Sequence, residues 1–73
     1  MTQYGVLLFS TTWAALRAER VLLRAGLKAK LVPTPRQFSS ECGLALRFEW
    51  AEVARAESLL GEARLEYASV HPL

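Results

Sequence analysis

The only cysteine of the chain, Cys42, is the side chain best suited to covalent chemistry. It follows Ser-Ser-Glu and precedes Gly43, in a stretch that has neither helical nor strand periodicity. A thiolate can attack a sulfur atom and hold it through an S–S bond, so an exposed thiol at this position indicates group transfer. The alternative is an inert cysteine that packs as a small hydrophobic residue, which is common for free thiols.

The other residue types exclude most further thiol chemistry. Without a second cysteine, one chain cannot act as a dithiol oxidoreductase. Cys42 and His71 are too few ligands for a zinc site within one chain. We predict that His71 is a residue of the carboxyl-terminal tail rather than a general base, and no glycine-rich phosphate motif is present. We therefore expect no cofactor and no metal, and the inventory favours a group carrier over an enzyme with turnover.

Composition indicates one small folded domain spanning residues 1–73. The chain is 52% hydrophobic and 22% charged, as in ordinary globular proteins. Its net charge of +2 is too small to indicate nucleic-acid binding. It has no apolar run near the roughly 20 residues that span a bilayer, and no signal-peptide pattern at its start. An internal disulfide is excluded, whereas small secreted domains usually need several. These features predict a cytoplasmic protein without membrane contact.

The hydrophobic pattern predicts a strand, a helix and a strand, followed by the same three elements again. The first half has strands at residues 4–9 and 27–32, with a helix between them that ends near residue 25 at Gly26. The second half has strands at residues 43–48 and 65–70, with a helix at about 50–60 that ends at Gly61.

This β-α-β-β-α-β order, built from two similar halves, is typical of the ferredoxin-like fold. We therefore predict an α+β two-layer sandwich. Its four-stranded antiparallel sheet has the strand order 4-1-3-2, and both helices lie on one face. One wide apolar arc of the first helix should face the sheet; it comprises Ala14, Ala15, Ala18, Val21, Leu22 and Ala25.

The opposite side of the first helix has a different composition. Arg17, Arg20 and Arg24 line it, Trp13 falls among them, and Leu16 and Leu23 add a second apolar patch. One interpretation is a solvated basic face on which Trp13 is half covered. The other is a partner-binding surface, because exposed tryptophan and arginine are typical interface anchors.

The predicted topology brings Cys42 to the start of the first helix. The end of strand one and the connection between strands two and three share one edge, so Cys42 should face Ser10, Thr11 and Thr12, any of which can cap that helix. The positive end of a helix lowers a cysteine pKa from about 8.5 to between about 3.5 and 7.5. Arg36 would reinforce this field, and Glu41 would oppose it.

We expect Gly43 to help in two ways. It would let the backbone adopt a conformation that other residues avoid, and it would leave the sulfur uncrowded for an incoming partner.

Two stretches resemble a known family of small domains. They are Leu31-Val32-Pro33-Thr34-Pro35-Arg36 and the stretch from Ser39 through Cys42-Gly43-Leu44-Ala45-Leu46 to Phe48. Both resemble the selenium/sulfur carrier-like proteins, and the likeness extends over almost the whole chain. The resemblance implies a carrier role with Cys42 as the sulfur-bearing residue, and hence persulfide donor and acceptor proteins as partners.

A regulatory or interaction module is the alternative function. Ferredoxin-like domains often pair through the open face of the sheet, and fold alone does not determine function. Ala45, Arg47, Lys28 and Lys30 are predicted on that face, where they would support a homodimer or an anionic ligand, and Cys42 would then be structural. Nucleic acid is not an expected partner, because that face lacks the aromatic pair for base stacking and Tyr67 is predicted on the core side.

Overall fold

The computed structural model describes residues 3–38 and 43–73. These described residues form four strands, two α-helices and one short 3₁₀ turn. The strands are β1 (Tyr4–Leu8), β2 (Ala29–Pro33), β3 (Leu44–Glu49) and β4 (Ser69–Pro72), the helices are α1 (Thr12–Arg24) and α2 (Val53–Glu62), and the 3₁₀ turn is Trp50–Glu52. The sheet order is β2-β3-β1-β4, with every neighbouring pair antiparallel. The predicted ferredoxin-like sandwich and its strand order are confirmed.

Alternation along the central strands builds the core between the sheet and the helices. Leu7 of β1 pairs with Leu46 of β3, and both are fully buried on the helix side of the sheet. The predicted apolar arc of α1 is confirmed, because Ala15 and Ala18 are buried against the sheet. Their small side chains allow close packing. The main core comprises Leu7, Phe9, Ala15, Ala18, Leu22, Leu27, Leu46, Phe48, Ala56 and Leu60.

Local signals define both ends of α1. The hydroxyl of Thr11 accepts a hydrogen bond from the Ala14 amide at 3.1 Å, so Thr11 is the N-cap residue. At the other end Gly26 has a φ of 88°, and its amide donates to the Leu23 carbonyl. The Leu27 amide donates to the Leu22 carbonyl at 3.0 Å. These two bonds form a Schellman motif, for which glycine is the preferred left-handed residue.

The end of α2 repeats this motif without glycine. The Arg64 amide donates to the Gly61 carbonyl and the Leu65 amide to the Leu60 carbonyl, while Arg64 itself takes a φ of 56°. The prediction that Gly61 ends the helix is therefore wrong: Gly61 lies inside α2. The helix continues because residues 61–63 complete its last turn, and the left-handed position falls on Arg64.

We expect Arg64→Gly to stabilise the protein. A side chain with a Cβ costs roughly 1–2 kcal/mol in the left-handed region. Glycine removes that cost but gives the unfolded chain more entropy, so the free energy of unfolding should rise by about 0.5–1 kcal/mol. Urea unfolding measures the change. Arg64→Ala is the control, because alanine also has a Cβ and keeps the cost of the left-handed conformation. An equal gain in stability in Arg64→Ala would show that contacts of the arginine side chain, rather than the backbone conformation, destabilise the protein.

The last strand begins later than predicted. Leu65 and Tyr67 alternate with polar residues as in a strand, but the Leu65 amide is used by the end of α2. Leu65 and Tyr67 pack against the core from the connection between α2 and β4, and pairing with β1 starts at Ser69.

The Tyr67 hydroxyl donates a hydrogen bond to the Glu57 carboxylate, and this bond is the main reason that the pKa of Tyr67 is raised.

The remaining boundaries differ from the predictions by a few residues. The second helical segment starts at Trp50 as predicted, but its first three residues form the 3₁₀ turn and α2 begins at Val53. Strand β2 starts at Ala29 rather than Leu27, because Leu27 belongs to the Schellman motif of α1. Tight turns at helix ends are common, and neither difference changes the topology.

Candidate functional site

Three chain segments meet at one end of the sheet. The register pairs Leu8, near the end of β1, with Ala45 of β3 and with Ser69 of β4. At the same end Pro33 of β2 lies opposite Leu44 of β3. The start of α1, the β2–β3 connection and the beginning of β4 therefore share this end of the sheet. Sequence reasoning predicted this edge as the location of the functional loop.

The described part of the predicted site consists of residues around the start of α1 and at both ends of the β2–β3 connection. Ser10 is exposed before the helix, Thr11 is its N-cap, and Thr12 is its first residue. Arg36 is exposed in a turn. The Thr34 amide donates to the Gly43 carbonyl at 3.0 Å, which ties the two ends of the connection together beyond the Pro33–Leu44 pair.

Cys42 lies outside the described residues, as does Glu41. The predicted approach of the thiol to Ser10, Thr11 and Thr12, and its lowered pKa, therefore remain predictions. The expectation that Gly43 adopts a backbone conformation that other residues avoid also stays a prediction, because this conformation depends on the link to Cys42. Gly43 itself is exposed, and a Cβ on it would meet no atom of the described residues within 4 Å. That it leaves the sulfur uncrowded stays a prediction.

Phe38 covers the face of the sheet that the helices leave free, a feature that sequence reasoning missed. Val6 and Leu8 point to this face and are 0% and 2% exposed. Phe38 and Val32 pack against them and Ala45, forming a second, smaller core cluster. The sequence signal for this cluster was the apolar character of β1 on both faces, which indicates a strand buried on both sides.

His71 anchors Phe38 from the last strand. Their ring centroids are 4.3 Å apart and the rings are nearly parallel, at 16°. The Nε2 atom of His71 lies 2.9 Å from the Ser69 hydroxyl. The prediction that His71 belongs to the tail is wrong, because it lies within β4 opposite Val6. The β2–β3 connection is thus attached to the sheet at Phe38 as well as at its ends.

The prediction that Ala45 lies on an open surface is also wrong. Ala45 is fully buried because Phe38 packs over this part of the sheet. The cations expected on the same face are present beyond the covered area: Lys30 lies opposite Arg47, and the Arg47 guanidinium stacks over the Tyr4 ring at 4.7 Å. The face therefore combines a covered apolar half with a basic half, and the homodimer stays a prediction.

Nearly the whole chain matches one known protein family. Residues 4–72 match the family described as "Putative Se/S carrier protein-like". The chain therefore belongs to this Se/S carrier-like family. The matched range runs from the start of β1 to the end of β4 and includes the segment that holds Cys42. No curated protein and no solved structure matches the chain significantly.

The Se/S carrier-like chain has two helices in its described part, and neither is long and apolar enough to cross a membrane. Membership of the family implies donor and acceptor partners in general terms.

Proposed function

We propose that this protein holds a sulfur or selenium atom on Cys42 and passes it to an acceptor. The observation that carries the proposal is the family match over residues 4–72, combined with the presence of a single thiol in the sequence. A carrier of this kind needs one nucleophilic sulfur and no second cysteine, cofactor or metal. The atom is cargo, gained from one protein and given to the next.

The transfer balances without an oxidant or a reductant. The Cys42 thiolate attacks the outer sulfur of a donor persulfide, R–S–SH. A new S–S bond forms as the donor bond breaks, and the electron pair leaves with the donor as R–S⁻, a good leaving group. A deprotonated acceptor nucleophile then attacks the outer sulfur of Cys42–S–SH and takes it, which restores the thiolate. Selenium follows the same path as Cys42–S–SeH.

The fold around the segment supports this role. Residues on both sides of positions 39–42 are attached to the sheet, through Phe38 on one side and the Thr34–Gly43 hydrogen bond on the other. Gly43, the residue after the thiol, is exposed, and a Cβ on it would meet no atom of the described residues within 4 Å. Such a setting suits a thiol that must reach two different proteins.

Intact-protein mass spectrometry tests the proposal. Incubation with a small-molecule persulfide should add the mass of one sulfur atom, and a later excess of thiol should remove it. Cys42→Ala should give no adduct, while its free energy of unfolding stays within about 0.5 kcal/mol of the wild type, as expected for a surface substitution. For selenium, the protein is incubated with selenide and a small-molecule disulfide, which together form R–S–SeH. This donor should add the mass of one selenium atom.

Two results would contradict the carrier role. A persulfide adduct that persists in Cys42→Ala would place the reactive group elsewhere. A native protein that resists a thiol-labelling reagent near neutral pH, combined with a loss of more than about 2 kcal/mol in Cys42→Ala, would identify the cysteine as a core residue.

A further inference from the structure

The outward side of α1 carries exposed apolar side chains that are not part of the hydrophobic core. Trp13, Leu16 and Leu23 are 68%, 45% and 50% exposed, although they lie on a regular helix. Together with Arg20 they follow the spacing i, i+3, i+7, i+10, which aligns them in one row along the helix. We call Trp13, Leu16, Arg20 and Leu23 the outer stripe. The core face of α1, centred on Ala15, Ala18 and Leu22, is separate from it.

The outer stripe has the dimensions and shape of a helix-binding surface. A shallow, open groove runs along it, lined by side chains of α1 alone. The helix has 13 residues and is therefore about 20 Å long, at about 1.5 Å per residue. Side chains at this spacing form the contact seam when two amphipathic helices pack side by side. A tryptophan with neighbouring arginines is the composition of energetic hot spots.

The charges along the groove indicate what the partner carries. Arg17, Arg20 and Arg24 line it, with Glu19 as the one acidic residue. The Arg17 guanidinium carbon lies 6.0 Å from the centre of the Trp13 ring, so this cation is placed beside the main apolar anchor. Carboxylates on a docked helix would satisfy all three guanidinium groups, each of which suits two-point binding of a carboxylate.

The same charges disfavour two other occupants. Pairing of this face with a second copy would bring six arginines against two glutamates, and repulsion between like charges costs affinity. A membrane surface requires a wide apolar face, but here Arg20 interrupts a row of three apolar side chains. We propose that the outer stripe of α1 docks an acidic amphipathic helix of a partner protein. This proposal does not depend on the chemistry of Cys42.

A designed peptide tests the docking surface on the full chain. The probe has about three heptads, with leucine at both seam positions and glutamate at the flanking positions; its matched control carries lysine at the flanking positions. Fluorescence anisotropy of the labelled peptide should show binding of the acidic probe in the micromolar range. Affinity should fall with added salt, and the lysine peptide should bind at least tenfold more weakly.

Variants of the protein locate the site. Trp13→Ala and Arg20→Glu should each weaken binding at least tenfold, whereas Arg64→Glu, a charge change at an exposed position beyond α2, should change it less than twofold. Circular dichroism should show all three folded, because these side chains are exposed. Cys42→Ala should bind like the wild type, which separates docking from the carrier role.

Four results would overturn the proposal. One is equal binding of the acidic and lysine peptides, and another is full binding by Trp13→Ala. The third is sedimentation showing a dimer that Trp13→Ala abolishes, since a second copy would then cover the stripe. The fourth is tighter binding to vesicles of anionic phospholipid than to the acidic peptide, with loss of that binding in Trp13→Ala.

Discussion

Gly5→Ala should lower the free energy of unfolding by about 1.5–3 kcal/mol, as overpacking of a close-packed site does. Gly5 lies in β1 between Phe48 of β3 and Pro72 of β4. A Cβ at this position would lie 2.4 Å from the Cε3 atom of Trp50 and 2.9 Å from the Cζ atom of Phe48. Phe48 is 1% exposed and has no room to withdraw. The two rings therefore occupy the space that a side chain on β1 would need.

This loss would be large for a domain of this size. Stabilities of about 0.05–0.15 kcal/mol per residue put the total for 73 residues at roughly 4–11 kcal/mol. Urea unfolding measures the change. Gly61→Ala is the matched control, because Gly61 lies in α2 and its added Cβ would meet no atom from elsewhere in the described residues within 4 Å. This variant should gain about 0.5–1 kcal/mol.

A second substitution tests the cause of the loss. Trp50→Leu should cost less in the Gly5→Ala background than in the wild type, because the smaller side chain relieves the contact; a double-mutant cycle measures this coupling. If Gly5→Ala unfolds at the same urea concentration as the wild type, the aromatic rings do not pack on the Gly5 backbone.

Phe38→Ala should lower the free energy of unfolding by about 1.5–2.5 kcal/mol, less than the 3–5 kcal/mol of a fully buried phenylalanine because this ring is half-buried. Its removal would uncover Val6 and Leu8, which are now shielded from water, and would end the stacking on His71. The β2–β3 connection would then be attached to the sheet only at its ends. Urea unfolding measures the stability, and the rate of limited proteolysis within residues 34–43 reports opening of the connection.

Phe38→Leu is the matched control for this substitution. Leucine keeps apolar cover over the sheet but cannot stack on the imidazole ring, so its loss should stay below about 1 kcal/mol and proteolysis should stay slow. A Phe38→Ala variant that loses less than about 0.5 kcal/mol and resists the protease like the wild type would show that Phe38 does not hold the connection against the sheet.

Much of the architecture could be predicted because local signals agree with the global fold. Gly26, placed after the last apolar position of α1, indicates the left-handed residue that ends the helix, and the spacing of Ala15, Ala18 and Leu22 identifies its buried face. The two similar halves then allow few topologies besides the ferredoxin-like one. For the candidate site, the sequence predicts one end of the sheet and one residue, Cys42, and the role of Cys42 stays a prediction.

Other elements could not be predicted because long-range contacts override local patterns. Leu65 and Tyr67 alternate with polar residues as in a strand. In the structure, however, the Leu65 amide donates to the end of α2, and the Tyr67 hydroxyl donates to the Glu57 carboxylate. Arg64 accepts a left-handed conformation that its side chain disfavours, because the two hydrogen bonds of the Schellman motif hold it there.

By itself, the sequence determined the strand and helix order, the core face of α1 and the presence of a single thiol. These features depend on hydrophobic periodicity, capping residues and side-chain chemistry, all of which act locally or are read directly from residue types. Only the tertiary structure decided that Phe38 stacks on His71 across the free sheet face and that Trp13 stays uncovered on α1. Both outcomes depend on which surfaces meet after folding, and that depends on contacts between residues far apart in the chain.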